Sequence, residues 1–373
     1  MVIAIDGYEA NVANRVGIGR YAFEILHNIY ALKTKHFFRI YLPSAPLTDM
    51  PKETSWWKYR VVKPKRLWTF IGLPLTLYTD TPHADVVFSP THYIPRFITS
   101  PRVIAIMDTS YLRYPEMFRV KDLHQLTRGT AYSVKHAKKI LTISQFSKNA
   151  IIEAYRVPKD RVVVTYPGIT MAKVKTQNSK VFEKYGIPAH YILSVGTIQP
   201  RKNYVRLIEA FSRILPKFPD MKLVIVGKKG WLYEESLQAP KRFGVEDRVK
   251  FLDFVPEEDL AGLYEEAICL VLPSLYEGFG LPVLEAMAHK CPVVVSNVSS
   301  LPEIAGEAGI YVDPEDVGSI AQGLTQAINE HETQKESERV NKGLVHIKKF
   351  SWEKAARQTL EVLEEVAKTR KYL

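Results

Sequence analysis

The feature that most constrains the fold is an alternation of short apolar runs with longer amphipathic segments along the whole chain. The apolar runs are rich in β-branched residues, which favours strands that are buried on both faces. The segments between them have the periodicity of helices. Because strands that alternate with helices build parallel sheets covered on both faces, the pattern predicts an α/β fold.

The predicted elements form two successive sets. In the first set, strands are predicted at Val2–Ile5, Phe37–Tyr41, Asp85–Phe88, Val103–Met107, Ile140–Ile143 and Val162–Thr165, and helices at Arg20–Leu32, Val120–Lys138 and Gln145–Ala154. In the second set, strands are predicted at Tyr191–Val195, Lys222–Val226, Val249–Leu252, Cys269–Leu272 and Val293–Val295, and helices at Tyr204–Leu215, Glu257–Ala267, Pro282–Ala288 and Val317–Asn329. A chain of 373 residues is long for one hydrophobic core and agrees with two domains.

A boundary near Met171–Gly186 separates the two sets, because Met171–Lys180 is polar and lacks periodicity. We predict an N-terminal domain over residues 1–172 and a C-terminal domain over residues 173–350. Residues 351–373 have the pattern of one amphipathic helix with Ser351 as its N-cap. In open α/β sheets ligands bind beyond the carboxyl ends of the strands, so a site is expected in the loops that follow strands.

Composition narrows the class of protein. No apolar run approaches the roughly 20 residues of a membrane-spanning helix, and the first residues lack the pattern of a signal peptide. The two cysteines, Cys269 and Cys291, lie in apolar surroundings, which predicts buried, reduced thiols rather than disulfides or zinc ligands. We therefore expect a cytoplasmic protein.

The charge is uneven along the chain. Residues 1–180 contain 27 Lys and Arg against 12 Asp and Glu, a net charge of +15, and the remainder carries −4. This asymmetry fits a domain that faces an anionic membrane, a phosphorylated acceptor or nucleic acid, and it fits equally well a solvated basic surface without a partner.

The loop after the predicted strand Cys269–Leu272 is rich in glycine and ends at Pro282, a residue suited to the first turn of a helix. Gly278 and Gly280 flank Phe279 and allow a ligand to approach the backbone, while the N–H groups of the following helix favour an anion. Glu277 and Glu285 border this loop, and we expect them to accept hydrogen bonds from sugar or ribose hydroxyls. A plain loop with a solvated glutamate is the alternative.

The loop after the predicted strand Tyr191–Val195 runs from Gly196 to Asn203, the expected N-cap of the next helix. Arg201 and Lys202 come just before that helix. Two cations at a helix N-terminus form a site for a diphosphate. Because cations are unfavourable at the positive end of a helix dipole, the placement favours a function over two surface cations.

Together these loops resemble the retaining glycosyltransferases of family four, which have the GT-B fold. The signature is Glu277-Gly-Phe-Gly-Leu-Pro-Val-Leu-Glu285, accompanied by the Gly196–Asn203 loop. Residues 251–267 resemble the family's base-binding segment, and residues 140–147 resemble the entry to its last N-domain helix. The similarity covers nearly the whole chain and is strongest from about residue 190 to residue 305.

The resemblance implies an architecture and a set of roles. It implies two Rossmann-like, doubly wound parallel-sheet domains that face each other across a cleft, with the C-terminal helix crossing back to the N-terminal domain. It implies that Arg201 and Lys202 neutralise the donor diphosphate, that Glu285 holds the ribose hydroxyls and that Val255 meets the base. Glu277 would contact the transferred sugar, together with the backbone N–H groups of Phe279, Gly280 and Leu281.

The N-terminal loop contains Gly17 and Gly19, followed by Arg20 and Ala22. The spacing imitates a dinucleotide fingerprint, but the strand ends too early and the expected acidic residue is missing. The resemblance makes Gly17 and Gly19 a flexible loop over the donor phosphates and places Arg20 on the acceptor side. A plain turn before a helix is the alternative.

The sequence departs from the family at Met107, where many relatives have a histidine directly before the aspartate. We expect Asp108 to act in the pocket alone or with His92 from the preceding loop. A structural histidine is the alternative at His92.

The function predicted from these features is a retaining, metal-independent glycosyltransferase. It would transfer a sugar from a nucleoside-diphosphate sugar, GDP-mannose being favoured and a UDP-sugar the alternative, to a glycan or a polyprenyl-diphosphate-linked acceptor. No cofactor, metal or nucleic acid is expected, and peripheral contact with an anionic membrane would place the protein at the inner face of the plasma membrane. The competing interpretations are a sugar-nucleotide epimerase, a nicotinamide oxidoreductase and a nucleic-acid binder.

Overall fold

The structure is a computed structural model that describes residues 1–15, 17–170, 178–187, 190–333 and 336–369. It divides into two compact units. The N-terminal unit comprises Met1–Arg113, Val120–Gly168 and Phe350–Leu373, and the C-terminal unit comprises Tyr114–Arg119 and Ile169–Lys349. The boundary predicted between residues 172 and 173 lies outside the described residues.

The described residues form the following strands and helices. The strands are β1 (Val2–Asp6), β2 (Phe37–Leu42), β3 (Trp57–Val61), β4 (Val86–Ser89), β5 (Arg102–Ala105), β6 (Lys139–Thr142), β7 (Val162–Val164), β8 (Tyr191–Val195), β9 (Lys222–Val226), β10 (Val249–Leu252), β11 (Cys269–Leu272), β12 (Val293–Ser296) and β13 (Gly309–Val312). The helices are α1 (Ile18–Ala31), α2 (Leu73–Thr79), α3 (Ser110–Arg113), α4 (Val120–His136), α5 (Gln145–Tyr155), α6 (Asn178–Tyr185), α7 (Tyr204–Ile214), α8 (Glu234–Arg242), α9 (Glu257–Glu265), α10 (Leu281–Ala288), α11 (Leu301–Ala305), α12 (Val317–Glu332), α13 (Glu336–His346) and α14 (Trp352–Thr369).

The N-terminal unit is built on a parallel sheet with the strand order β3-β2-β1-β4-β5-β6-β7. The order reverses between β1 and β4, where Ile3 pairs with Phe38 on one side and with Val86 on the other. Strands β1 and β4 are buried along nearly their whole length, as expected for a sheet covered on both faces. The reversal creates a switch point beyond the carboxyl ends of β1 and β4, which is where such sheets bind ligands.

The C-terminal unit repeats this design with the order β10-β9-β8-β11-β12-β13. Here Leu193 of β8 pairs with Val224 on one side and Leu270 on the other, so the switch point lies between β8 and β11. Helices α7 and α12 pack their apolar faces on the sheet through residues such as Leu207, Phe211 and Leu324. The two parallel α/β sheets confirm the predicted fold class.

Helix α14 belongs to the N-terminal unit, where it packs against α1, β4, β5 and β6. Its first residue, Trp352, is buried beside Tyr21, with ring centroids 6.1 Å apart. The Ser351 carbonyl accepts a hydrogen bond from the Ala355 N–H at 2.9 Å and opens the helix as expected. Residues 370–373 of the predicted helix lie outside the described residues.

Most predicted strands and helices are confirmed within one to three residues. Asn178–Tyr185, within the predicted boundary region, forms helix α6, which was not predicted from the sequence. The thiols of Cys269 and Cys291 are free and buried as predicted, and burial raises the pKa of both. No helix in the described part of the chain is long and apolar enough to cross a membrane.

Candidate active site

The two loops singled out in the sequence follow β8 and β11, the strands on either side of the switch point in the C-terminal unit. The loops are tied together by their backbones, since the Leu275 N–H donates to the Arg201 carbonyl at 2.9 Å. The Asn203 side-chain amide adds hydrogen bonds to the carbonyls of Pro273 and Pro314, at 3.0 and 2.7 Å. The fold therefore brings the two predicted halves of the donor site side by side.

The sequence correctly places Asn203 at the N-cap of α7, but the side chain does not cap the helix. Asn203 occupies the N-cap position of α7, but it has φ 62° and makes no side-chain capping hydrogen bond. Its side chain is committed to the two carbonyls of the neighbouring loops, and asparagine tolerates the left-handed conformation better than most residues. Asn203 thus joins three loops at the edge of the sheet.

Three charged side chains form the centre of the site. Lys202 Nζ lies 2.6 Å from Glu277 Oε1, and Arg201 Nη1 lies 2.9 Å from Glu277 Oε2. The hydroxyl of Ser274 donates to the same Oε1 at 2.7 Å, and the Glu277 N–H donates to the Ser299 hydroxyl at 3.1 Å. The Arg201 guanidinium also donates to the Tyr276 carbonyl. Glu277 therefore holds two cations side by side that would otherwise repel each other.

The electrostatics of this cluster follow from its burial. Burial alone would raise the pKa of Glu277, but the attraction of Lys202 and Arg201, with hydrogen bonds from Lys202 and Ser274, lowers it to about 2. Glu277 is thus ionised at neutral pH and the three side chains carry a net charge of +1. From the sequence, the unfavourable placement of two cations at a helix N-terminus is interpreted as a sign of a bound anion. In the structure, the Glu277 carboxylate offsets this cost.

Backbone glycines let the lysine reach this position. A Cβ on Gly196, which has φ 155°, would lie 2.9 Å from Lys202 Cε. A Cβ on Gly227, at the end of β9 with φ 159°, would lie 2.0 Å from the Gly196 carbonyl oxygen. The loop after β9 can approach the loop after β8 because Gly227 lacks a side chain, and Lys202 can lie over Gly196 because Gly196 lacks one. Gly227 had no role in the sequence prediction.

The glycine-rich loop leads into α10 at Leu281, so Pro282 occupies the second helical position rather than the predicted first one. Gly278, Phe279 and Gly280 are buried, and Gly280 has φ 106° directly before the helix. The Ser300 hydroxyl lies between the carbonyls of Glu277 and Phe279, at 2.9 and 2.8 Å. Ser274, Ser299 and Ser300 thus shape the loop, a role that single serines do not reveal in a sequence.

Two further predicted donor residues lie at the edges of this site. Glu285, on the first turns of α10, is half-buried and accepts a hydrogen bond from the Tyr264 hydroxyl at 2.9 Å. Val255 is buried in the loop between β10 and α9, three residues after the strand ends. Their contacts with ribose and base stay predictions.

The segment Tyr114–Arg119 belongs to the C-terminal unit and packs beside the glycine-rich loop. Tyr114 meets Tyr276 edge to face at 6.2 Å, and Phe118 packs on Trp231 at 5.5 Å. The Trp231 indole donates to the Met117 carbonyl at 2.5 Å. The packing of Trp231 on this segment was not evident in the sequence, because the partners are more than a hundred residues apart.

In the N-terminal unit, Gly17 and Gly19 lie after β1 at the start of α1. Gly17 is exposed with φ 51° and precedes the helix, whereas Gly19 is buried in its first turn. The expected flexible loop therefore does not include Gly19. Arg20 forms an ion pair with Glu24 at 2.9 Å along the helix.

Asp108 and His92 approach each other at the carboxyl ends of β5 and β4. Asp108 accepts hydrogen bonds from the N–H and hydroxyl of Ser110, at 2.9 and 2.6 Å. Burial lowers the pKa of His92 while the Asp108 carboxylate raises it, and His92 Nδ1 lies 3.4 Å from the Thr130 hydroxyl. Met107, the residue at which the sequence departs from the family pattern, is half-buried, and its carbonyl accepts a hydrogen bond from the Ser147 hydroxyl at 3.1 Å.

A further residue at this switch point is Asp6, the last residue of β1. Its carboxylate accepts hydrogen bonds from the Trp68 indole and the Tyr8 N–H, each at 3.1 Å. Burial raises the pKa of Asp6 to about 7, although both hydrogen bonds lower it and Glu9 adds a small upward shift. An acidic residue directly after an apolar strand is the signal that could have identified it.

Among the described residues, no group of three or more His, Cys, Asp and Glu side chains is arranged to hold a metal ion. The charged centre of the site consists of Arg201, Lys202 and Glu277, and the geometry provides cations and helix N–H groups for a phosphate-bearing ligand.

Comparison with known proteins agrees with this geometry. The family model for Glycosyl transferases group 1 matches residues 177–344. O-antigen chain mannosyltransferase B of Escherichia coli is 30% identical over 364 residues, covering 92% of this chain and 94% of that protein. O-antigen chain mannosyltransferase RfbU of Salmonella typhimurium is 30% identical over 232 residues, covering 62% of this chain and 61% of that protein.

Among solved structures, WaaG, a glycosyltransferase involved in lipopolysaccharide biosynthesis, superposes with a TM-score of 0.73 at 18% identity, covering 97% of this chain and 99% of that chain. The two parallel α/β sheets have the GT-B architecture. The chain belongs to the group 1 glycosyltransferases, and it is an enzyme that transfers sugars.

Proposed function

We propose that this protein is a retaining, metal-independent mannosyltransferase that uses GDP-mannose and adds mannose to a hydroxyl of a glycan or polyprenyl-diphosphate-linked acceptor. The observation that carries the donor half of the proposal is the cluster of Arg201, Lys202 and Glu277 at the switch point of the C-terminal sheet. Asp108 and His92 are the acceptor-side candidates in the N-terminal unit.

The charge of the cluster suits the leaving group. Cleavage of the glycosyl–phosphate bond builds negative charge on a nucleoside diphosphate, and fixed cations stabilise that charge more in the transition state than in the substrate. The cluster keeps a net charge of +1 because the pKa of Glu277 is about 2. Since Arg201 and Lys202 provide this positive charge, the proposed reaction does not call for a divalent ion.

The proposed transfer is a substitution at the anomeric carbon. A bond forms between that carbon and the acceptor oxygen, and its bond to the diphosphate oxygen breaks. The acceptor proton passes to the leaving diphosphate, and attack on the face that the diphosphate leaves retains the anomeric configuration. Glu285 would hold the ribose hydroxyls, and the backbone N–H groups of Phe279, Gly280 and Leu281 would face the sugar or phosphate.

The choice of mannose rests on the relatives. Two of them are named as O-antigen chain mannosyltransferases, and one of these matches 92% of this chain. The choice of guanine over uracil follows from mannose, which is usually activated as GDP-mannose. We further propose a cytoplasmic location at the inner face of the plasma membrane, because the N-terminal half carries the basic excess that an anionic membrane attracts.

The proposal is tested by incubating the purified protein with a panel of nucleotide sugars and a glycan acceptor in EDTA and following release of the nucleoside diphosphate. We expect GDP-mannose to be turned over, the product to be an α-mannoside by NMR, and EDTA to have no effect. Turnover of UDP-sugars alone would overturn the choice of donor, and loss of activity in EDTA that Mg²⁺ restores would overturn the metal-free mechanism. An epimerase would instead convert the free nucleotide sugar without an acceptor.

A further inference from the structure

The segment Leu67–Thr79 of the N-terminal unit contains no charged side chain. Residues Trp68–Gly72 form a wide, π-type helical turn that continues into α2. One face of this helix is anchored in the core, where Trp68, Leu73 and Leu77 pack with residues of β1, β2 and β4. The hydrogen bond from the Trp68 indole to Asp6 fixes the same face to the end of β1. The helix is therefore firmly attached through its inner side.

The outer side of this helix is apolar as well. Leu67, Phe70, Ile71, Leu75 and Tyr78 are between 45% and 58% exposed. Their spacing of three or four residues between successive turns places them on one stripe of the helix. The outer stripe of a surface helix is normally polar, so this exposed apolar stripe needs a partner other than water.

The stripe is extended by a second segment. Phe97 is 73% exposed and has φ 56°, so its backbone holds a large apolar ring out in solvent. The adjoining Arg96 N–H donates to the Thr69 carbonyl at 2.8 Å, and its guanidinium lies 4.0 Å from the centre of the Phe70 ring. These contacts place Phe97 next to the stripe. We call Leu67, Phe70, Ile71, Leu75, Tyr78 and Phe97 the apolar patch.

The charges next to the apolar patch have one sign. Residues 54–79 contain five cations, Lys58, Arg60, Lys63, Lys65 and Arg66, and no Asp or Glu. Lys63, Lys65 and Arg66 are exposed and lead directly into the helix. The next acidic residue, Asp80, is buried and neutralised by Arg60 at 2.8 Å. We call Lys63, Lys65 and Arg66 the basic edge of the patch. No carboxylate within residues 54–79 compensates their charge at the surface.

We infer that the apolar patch and its basic edge dock this protein on an anionic lipid bilayer. An amphipathic element binds at a membrane interface when apolar side chains enter the acyl boundary and cations meet the anionic headgroups. The patch provides both at adjacent positions, and this charge complementarity favours a bilayer over a second copy of the chain, whose patch would bring the same cations into contact. The inference deepens the proposed membrane contact and does not depend on which sugar is transferred.

The test is co-sedimentation with vesicles of phosphatidylglycerol and phosphatidylcholine, or of phosphatidylcholine alone, at low and high salt. We expect binding to the anionic vesicles that falls with salt, and a loss of about tenfold or more in the partition coefficient for Ile71→Gln/Leu75→Gln. The matched control, Val120→Gln/Val345→Gln, removes two exposed apolar side chains elsewhere and should bind as the wild type does. Equal sedimentation of the patch variant and the wild type would overturn the inference.

The basic edge is tested separately by Lys65→Gln/Arg66→Gln, with Lys35→Gln/Lys159→Gln as the control of equal charge. The first pair should weaken binding to anionic vesicles more than the second, and equal effects would show that only net charge matters and overturn the assigned surface. Size-exclusion chromatography of the wild type and the patch variant tests the other occupant, a second copy of the chain. A dimer that is lost in the variant while vesicle binding stays intact also contradicts the inference. The rise in Tm caused by GDP reports the donor site in the same samples, so failure of docking and failure of the proposed function are distinguishable.

Discussion

Glu277 is the residue on which the donor site depends most. It is buried, it pairs with two cations that are themselves largely buried, and it accepts a hydrogen bond from Ser274. Removing one partner of a buried ion pair is costly because the remaining charges lose their compensation. The same carboxylate therefore has a structural role, and its predicted contact with the transferred sugar would add a second one.

The first prediction concerns the stability of this cluster. Glu277→Gln should destabilise the protein by about 3 kcal/mol, because Lys202 and Arg201 are then left without a counter-ion. Glu209→Gln, which removes a carboxylate from an exposed ion pair with Arg213, should cost less than about 1 kcal/mol. Urea unfolding of the two variants measures the difference. Equal costs would show that the buried cluster contributes no more than a surface pair.

Asp6 leads to the second prediction, which concerns pH. Its pKa is raised from 3.8 to about 7, so the folded protein holds this proton more tightly than the unfolded chain. The stabilisation of the folded protein by this proton is fully present below pH 4 and is lost as the pH rises through 7. The change in the free energy of unfolding is of the order of 2–4 kcal/mol. Asp6→Asn cannot ionise and keeps an oxygen for the Trp68 indole.

Urea unfolding from pH 5 to pH 8 measures this effect. Relative to the wild type, Asp6→Asn should gain stability as the pH rises across that range. Asp160→Asn, at an exposed position, is the control and should follow the wild-type profile. If the free energies of unfolding of the wild type and Asp6→Asn differ by the same amount at pH 5 and at pH 8, the result contradicts the burial of an ionisable carboxyl at the end of β1.

At the scale of elements, the site depends on how closely the loops after β8 and β9 approach. The Ile198 N–H donates to the Lys228 carbonyl at 2.9 Å, and the Gly230 N–H donates back to the Ile198 carbonyl at 3.0 Å. This short bridge continues the pairing of the two strands into the loops. It places Gly227 against Gly196 and leaves Lys202 lying over Gly196.

The third prediction is that Gly227→Ala disrupts this approach. The added methyl would lie 2.0 Å from the Gly196 carbonyl oxygen, so the loops must separate and Lys202 must move. We expect a loss of about 3 kcal/mol and weaker binding of nucleoside diphosphates. Gly244→Ala is the matched control, because it has φ 66° but no atom within 4 Å of the new methyl, and it should cost only about 1 kcal/mol of backbone strain. Equal losses in urea unfolding would show that the loop contact does not matter.

The sequence predicted most elements because their strands are continuous apolar runs between turns. It missed β3, an edge strand whose Lys58 and Arg60 break the apolar run, and β13, which begins with a glycine. It also missed α2, where Pro74 and apolar residues on both faces hide the helical period. Periodicity detects an element only when one face differs from the other.

The site was predictable to the extent that it lies in local motifs. The loops with Arg201, Lys202 and Glu277 each have a signature in the sequence, and the topology explains why they meet. The direct pairing of Lys202 with Glu277 was not predictable, since it joins residues 75 positions apart. The same holds for Asp6 with Trp68, and for the serines that hold the glycine-rich loop.

At the scale of the whole molecule, the chain repeats one sheet order in two units but gives them different chemistry. The C-terminal switch point carries a cationic cluster, whereas the N-terminal switch point carries Asp6, His92 and Asp108. The net charge differs in the same way, with the whole positive excess in the first half of the chain. The apolar patch belongs to the N-terminal unit, whereas the residues of the proposed donor site belong to the C-terminal unit.

The central claim is that Arg201 and Lys202 bind the diphosphate of the donor. The most direct test is the change in Tm on addition of GDP or UDP in EDTA, for the wild type, Lys202→Ala and the exposed control Lys241→Ala. The account predicts that GDP raises the Tm of the wild type and of Lys241→Ala, more than UDP does, and that Lys202→Ala loses most of the rise. An equal rise in Lys202→Ala and the wild type would place the diphosphate elsewhere and contradict the account.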